Sequence, residues 1–133
     1  MEAQNKSLET LLNGRSILDL TGTEASLASE LLTELVKSKP LASFTATEYK
    51  ALIEELTKYL VINLFNGNEP DNWAEKTLDW IENHPAKSWD WKLASIIDLH
   101  LNGIEVWDSL TAEERQTIAE EIVRYLKKQK ENK

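Results

Sequence analysis

The stretch FTATEYKALIEELTKYL, residues 44–60, returns sixty-six positions later as LTAEERQTIAEEIVRYL, residues 110–126. Two amphipathic helices can look alike by convergence, so the comparison is extended at the same offset, without gaps, back to Leu27. Between 27–60 and 93–126, twelve of 34 positions are identical, among them Ser29 and Ser95, Thr45 and Thr111, Glu54–Glu55 and Glu120–Glu121, and Tyr59 and Tyr125. The exchanges between them are conservative on matching helical faces: Leu31 with Ile97, Leu52 with Ile118, Leu56 with Ile122, Lys58 with Arg124. A chain that states one packing plan twice, at half its own length, reads as a tandem duplication.

The repeated unit is helical. Apolar residues recur at three and four rather than at two: Leu27, Leu31, Leu32 and Leu35; Leu52, Leu56, Tyr59 and Leu60; Ile96, Ile97 and Leu101; Ile118, Ile122, Tyr125 and Leu126. Thr21 with Glu24, Thr45 with Glu48 and Thr111 with Glu114 fit the capping box, in which a hydroxyl and a carboxylate satisfy the orphaned N–H groups at a helix start. Asn13-Gly14, Asn66-Gly67 and Asn102-Gly103 each follow a periodic run, where glycine can take the left-handed conformation that ends a helix. Pro70 is expected in a first helical turn, and Pro85 ends the helix before it.

The expected fold is therefore all-α, a six-helix domain made of two three-helix units, 1–67 and 68–133. Each unit holds a short helix (5–13 and 71–83), a middle one (23–37 and 88–101) and a long one (46–65 and 112–129). A unit of about 66 residues buries too little to be stable alone, so 1–133 is expected to form a single compact domain. The first long helix ends YLVINLF, apolar nearly all round, and this end is expected to lie between the halves.

Charge and composition exclude several functions. A net charge of -8 opposes sequence-independent nucleic-acid binding, which needs clustered Lys and Arg on phosphates, and favours a basic or neutral protein partner. The start, MEAQNKSLETLL, has no basic stretch followed by an apolar run, and no window approaches the roughly 18 apolar residues of a membrane span, so a cytoplasmic protein is expected. The absence of cysteine excludes disulfides, thiolate metal sites and thiol catalysis.

Duplication supplies an internal control, because a residue that differs between copies is not required by the shared fold. All five tryptophans fall in the second copy, where Trp73, Trp80, Trp89, Trp91 and Trp107 stand opposite Ser7, Gly14, Thr23, Ala25 and Leu41. The acidity falls there too: residues 67–121 carry 13 acids and four bases, net -9, whereas 122–133 carry one acid and five bases, net +4. Trp73, Trp80, Trp89 and Trp107 fit core positions by their helical neighbours. Trp91 instead lies roughly 160° around the helix from Leu93, on the side of Ser95, Asp98 and Asn102. An indole among polar residues suits an interface anchor, so Trp91, Ser95, Asp98 and Asn102 are the candidate partner-binding residues.

Catalytic patterns are weak. Glu75, Asp79 and Glu82 share a helix face opposite Trp73, Trp80 and Ile81, where a solvated face explains them better than a metal site. His84 and His100 lack paired ligand spacing, and the chain contains no HExxH, no glycine-rich phosphate loop and no GxSxG. The expected function is a non-catalytic interaction module, an adaptor, small subunit or inhibitor, with no cofactor and no metal. The alternatives are an acidic nucleic-acid mimic and a small helical hydrolase using Glu75, Asp79 and Glu82 with a divalent metal.

Overall fold

The computed structural model describes residues 8–85 and 92–131. They are helical, with no strand among the described residues. Seven α-helices are present there rather than six: α1 (Leu8–Leu12), α2 (Gly22–Ser38), α3 (Ala46–Phe65), α4 (Trp73–Glu82), α5 (Leu93–Leu101), α6 (Glu105–Asp108) and α7 (Ala112–Glu131). The additional one, α6, is a single turn at the place where the first half has the short 3-10 turn Leu41–Ser43.

The two long helices have the same length and start at the same phase. α3 and α7 each span 20 residues, sixty-six positions apart. The Glu48 N–H donates to Thr45 Oγ1 over 3.1 Å while Glu48 Oε1 accepts from Thr45 N–H over 2.9 Å, and Thr111 with Glu114 repeats both bonds at the same distances. The third expected capping box does not form. Thr21 is the N-cap of α2 but makes no side-chain cap, and the Glu24 carboxylate that would complete the box is instead held by the guanidinium of Arg15 at 3.0 and 3.2 Å. Pro70 also departs from expectation, since it precedes Asn72, the N-cap of α4. Between the halves, Asn66 (φ 53°) and Gly67 (φ 83°) are both left-handed, which stops α3 and turns the chain toward α4.

α3 is the centre of the molecule. It packs on α1 and α2 from its own half and on α4, α5 and α7 from the other, while α6 crosses over to α2. Every residue from Ala51 to Thr57 is buried, a run of nearly two helical turns with no solvent face. The central portion is thus the middle of α3 and not its apolar end, as the sequence had indicated. There Val61 is buried, but Ile62 is 38% exposed, Asn63 is exposed, and Leu64 and Phe65 are only half-buried. Trp107 fills the core completely, and Trp73 and Trp80 are half-buried; Trp89 and Trp91 lie outside the described residues. No described helix is long and apolar enough to cross a membrane.

Candidate partner-binding site

α5 is nine residues long, and Lys92 at its N-cap offers no side-chain cap. Gln116 of α7 supplies it instead: its Oε1 accepts from Ala94 N–H over 3.1 Å, and its Nε2 donates to Glu120 over 3.0 Å. At the other end of α5, the buried Trp107 donates its indole N–H to Asp98 Oδ1 over 2.7 Å. Arg115 fixes this corner by donating to the Trp107 and Asp108 carbonyls at 3.1 and 2.9 Å, with its guanidinium 5.9 Å from the Trp107 ring. The Asp108 carboxylate in turn accepts from Gly103 N–H, 3.1 Å to the nearer oxygen.

These ties leave a groove of about 590 Å³ between α5 and the start of α7, lined by Lys92, Ala94, Ser95, Asp98, Leu99, Ala112, Glu113, Arg115 and Gln116. Leu99 stands in it 55% exposed, more than Leu18 or Ile62, the other exposed large apolar residues described. Of the sequence-predicted residues, Ser95 and Asp98 line the groove; Asn102 is exposed at the end of α5, outside it. Asp98 is half-buried and engaged with Trp107, so it positions the groove from below and is not simply a surface anchor.

The residues missed from sequence are Leu99, Arg115 and Gln116. A signal for two of them was present, because Asp98, Trp107, Arg115 and Gln116 stand opposite Leu32, Leu41, Tyr49 and Lys50. These four differences between the halves fall on side chains that tie α5 down, Gln116 at its start and Asp98, Trp107 and Arg115 toward its other end.

A second groove, about 420 Å³, runs between α2, α3 and residues 104–106. Its lining includes Ser29, Glu30, Thr33, Glu34, Glu55, Tyr59 and Glu105. Glu55 is wholly buried. Ser29 Oγ donates to Glu55 Oε2 and lies 3.3 Å from the Tyr59 hydroxyl. Its neighbour Glu54, also buried, accepts from Ser16 Oγ at 3.0 Å and Ile17 N–H at 3.2 Å. Tyr125 of α7 reaches toward Glu54; burial lifts its phenol well above the ordinary pKa, and the Glu54 carboxylate lifts it further.

Elsewhere in the second half the two histidine rings flank Trp80, with ring centroids 5.3 Å (His84) and 5.1 Å (His100) from it. Burial depresses the His100 pKa, and His84 adds to this. Glu75, Asp79 and Glu82 are all exposed on α4, and among the described residues no three His, Cys, Asp or Glu side chains come together as a metal site. The chain matches no protein-family model, no curated protein and no solved structure.

Proposed function

We propose that this chain is a tandem duplication of two three-helix units folded as one domain, whose second unit carries a protein-binding groove. Support for the duplication comes from the equal bounds of α3 and α7 and their capping boxes. It comes as well from the shared burial of Leu52 and Ile118, Leu56 and Ile122, and Leu60 and Leu126. The function we infer is a non-catalytic interaction module of the cytoplasm, an adaptor, small subunit or inhibitor. It needs no cofactor, and its partner presents a basic or neutral surface.

One observation carries the reading: Leu99 is more than half exposed in a groove whose walls are held by hydrogen bonds to Asp98, Arg115 and Gln116. An apolar side chain in a fixed concave setting, ringed by Lys92, Asp98 and Glu113, has the form of an interface anchor. Trp91 is proposed as a second anchor, with Ser95 and Asn102 as polar contacts. The exposed row Glu75, Asp79 and Glu82 on α4 favours the nucleic-acid mimic as a second reading, in which the partner is a DNA- or RNA-binding protein and binding falls steeply with salt.

The test is purification of partners with the full chain as bait, repeated with Leu99→Lys and Trp91→Ala, followed by titration of the purified partner. Each variant should weaken binding by about 2 kcal/mol, roughly thirtyfold, with its melt unchanged. Equal binding by wild type and Leu99→Lys would remove the groove from the interface.

A further inference from the structure

We propose that the groove between α2, α3 and residues 104–106 binds an organic cation, a primary ammonium on an alkyl stem, with the buried carboxylate of Glu55 as its counter-charge. This site is separate from the α5–α7 groove and does not depend on it.

A fully buried carboxylate is costly unless both oxygens are satisfied. Glu55 is 0% exposed, and its Oε2 has Ser29, but its Oε1 accepts no hydrogen bond. The Lys58 ammonium pairs with Oε1 at 3.1 Å yet lies outside hydrogen-bonding geometry. Lys58 comes from the side of a different cavity, lined by Leu18, Val61 and Ile62, and its side chain is 22% exposed. An external ammonium would take its place, with Lys58 turning to solvent. Lys58 shows what Glu55 accepts: an ammonium on a four-carbon stem, which also lies over the Tyr59 ring at 5.0 Å.

The remainder of the groove suits the same ligand. Leu27, Leu31 and Val106 offer apolar wall for an alkyl stem, and Glu30 and Glu34 add negative charge beside it, while Glu105 is paired with Lys37 at 3.0 Å. The second half argues that the shared fold does not require this burial. Glu121, opposite Glu55, pairs with Arg124, opposite Lys58, at a partly solvated site. The carboxylate was free to stay wet, and in the first half it lies at the edge of a cavity instead.

The experiment is an NMR titration of the full chain with n-butylammonium chloride, using n-butanol and sodium chloride at matched concentration as controls. The amine should give saturable shifts at Ser29, Glu55 and Tyr59, and the controls should not. Lys58→Met, which removes the internal competitor, should bind about tenfold tighter, and Glu55→Gln at least about tenfold weaker, as for one charged hydrogen bond. If Glu55→Gln fails to fold, the exposed rim pair Glu30→Gln and Glu34→Gln serves in its place and should weaken binding several-fold. Leu99→Lys should bind the amine as wild type does. Putrescine against Nα-acetyl-lysine methylamide then distinguishes a free diamine from a lysine side chain of a partner. The proposal is overturned by shifts equal with n-butanol, by no saturable shift in wild type and Lys58→Met, or by wild-type affinity in the Glu55 or rim variants.

Discussion

Glu55 and Lys58 in the first half, and Glu121 and Arg124 in the second, are one i,i+3 ion pair written twice. The first carboxylate is completely buried, with an ammonium 22% exposed; in the second pair the side chains are 28% and 69% exposed. The neighbouring glutamates differ in the same direction, Glu54 being buried and Glu120 exposed. What separates the two halves is the position of the helix: α3 has neighbours on every side, whereas α7 keeps a solvent face. Similar segments thus fix similar helices and apolar stripes, and the assembly decides which of the two has its polar stripe covered.

The two long helices also contact each other reciprocally. Tyr125 of α7 reaches Glu54 of α3, and Tyr49 of α3, whose pKa burial also raises, feels the charges of Glu121 and Arg124 on α7. The comparison between halves is most severely tested by separating them. Cut at Gly67, residues 1–67 keep α3 but lose α4, α5 and α7 from around it, so this fragment should show no cooperative thermal transition. A soluble monomer of 1–67 with a sharp melt would mean that the first half needs no cover.

The next effect contrasts Trp107 with its counterpart. Trp107 is fully buried and Leu41 only half-buried, so Trp107→Ala should cost about 3–5 kcal/mol and Leu41→Ala clearly less, in urea midpoints. Similar losses would show that the corner around Asp98 and Arg115 adds nothing. Smaller again is the ion-pair contrast. Lys58→Ala strands a buried carboxylate and should cost about 3 kcal/mol, while Arg124→Ala should leave the midpoint unchanged. Equal responses would contradict the assigned difference in burial.

The smallest effect is a pH dependence confined to the second half, which holds both histidines. His100 has its folded pKa depressed below the ordinary 6.5 by burial, then by His84. The unfolded chain therefore takes up a proton first, so the stability tied to neutral His100 is complete above about pH 6.5 and declines as pH falls from there toward the lower folded pKa. His100→Gln should flatten that part of the slope between about pH 7.5 and pH 5.5. A slope unaltered by His100→Gln would assign it to carboxylates.

Local signals were legible in the sequence. The bounds 46–65 were readable because a capping box, an apolar stripe and an Asn-Gly stop are all encoded within a few residues of the helix they delimit. Thr21–Glu24 failed for a reason outside that window, since Arg15 takes the carboxylate from nine residues away. The burial of Glu54 and Glu55 and the exposure of Ile62 were not legible, because the segments that cover or leave them are distant in sequence: Ser16 and Ile17 over Glu54, α2 over Glu55, and the second-half helices around α3. Of the candidate site, Ser95 and Asp98 came from the wheel, but Leu99 shares its helix with buried Ile96 and Ile97 and reads as core until the position of α7 is known.

The placement of Glu54 and Glu55 has a consequence for how the protein is made. During synthesis Tyr125 follows Glu54 by more than half the length of the chain, which at about 5–20 residues per second is several seconds. Collapse of a short apolar chain takes well under a millisecond. Throughout that interval the emerging chain carries α3 without α5 and α7 to cover it. Two carboxylates in the middle of that helix, whose partners Ser16, Ile17, Ser29 and Lys58 belong to the half already made, keep that stretch charged meanwhile. A segment that carries two charges is less prone than a purely apolar one to associate with its neighbours, and the cover over α3 is completed only when α7 arrives.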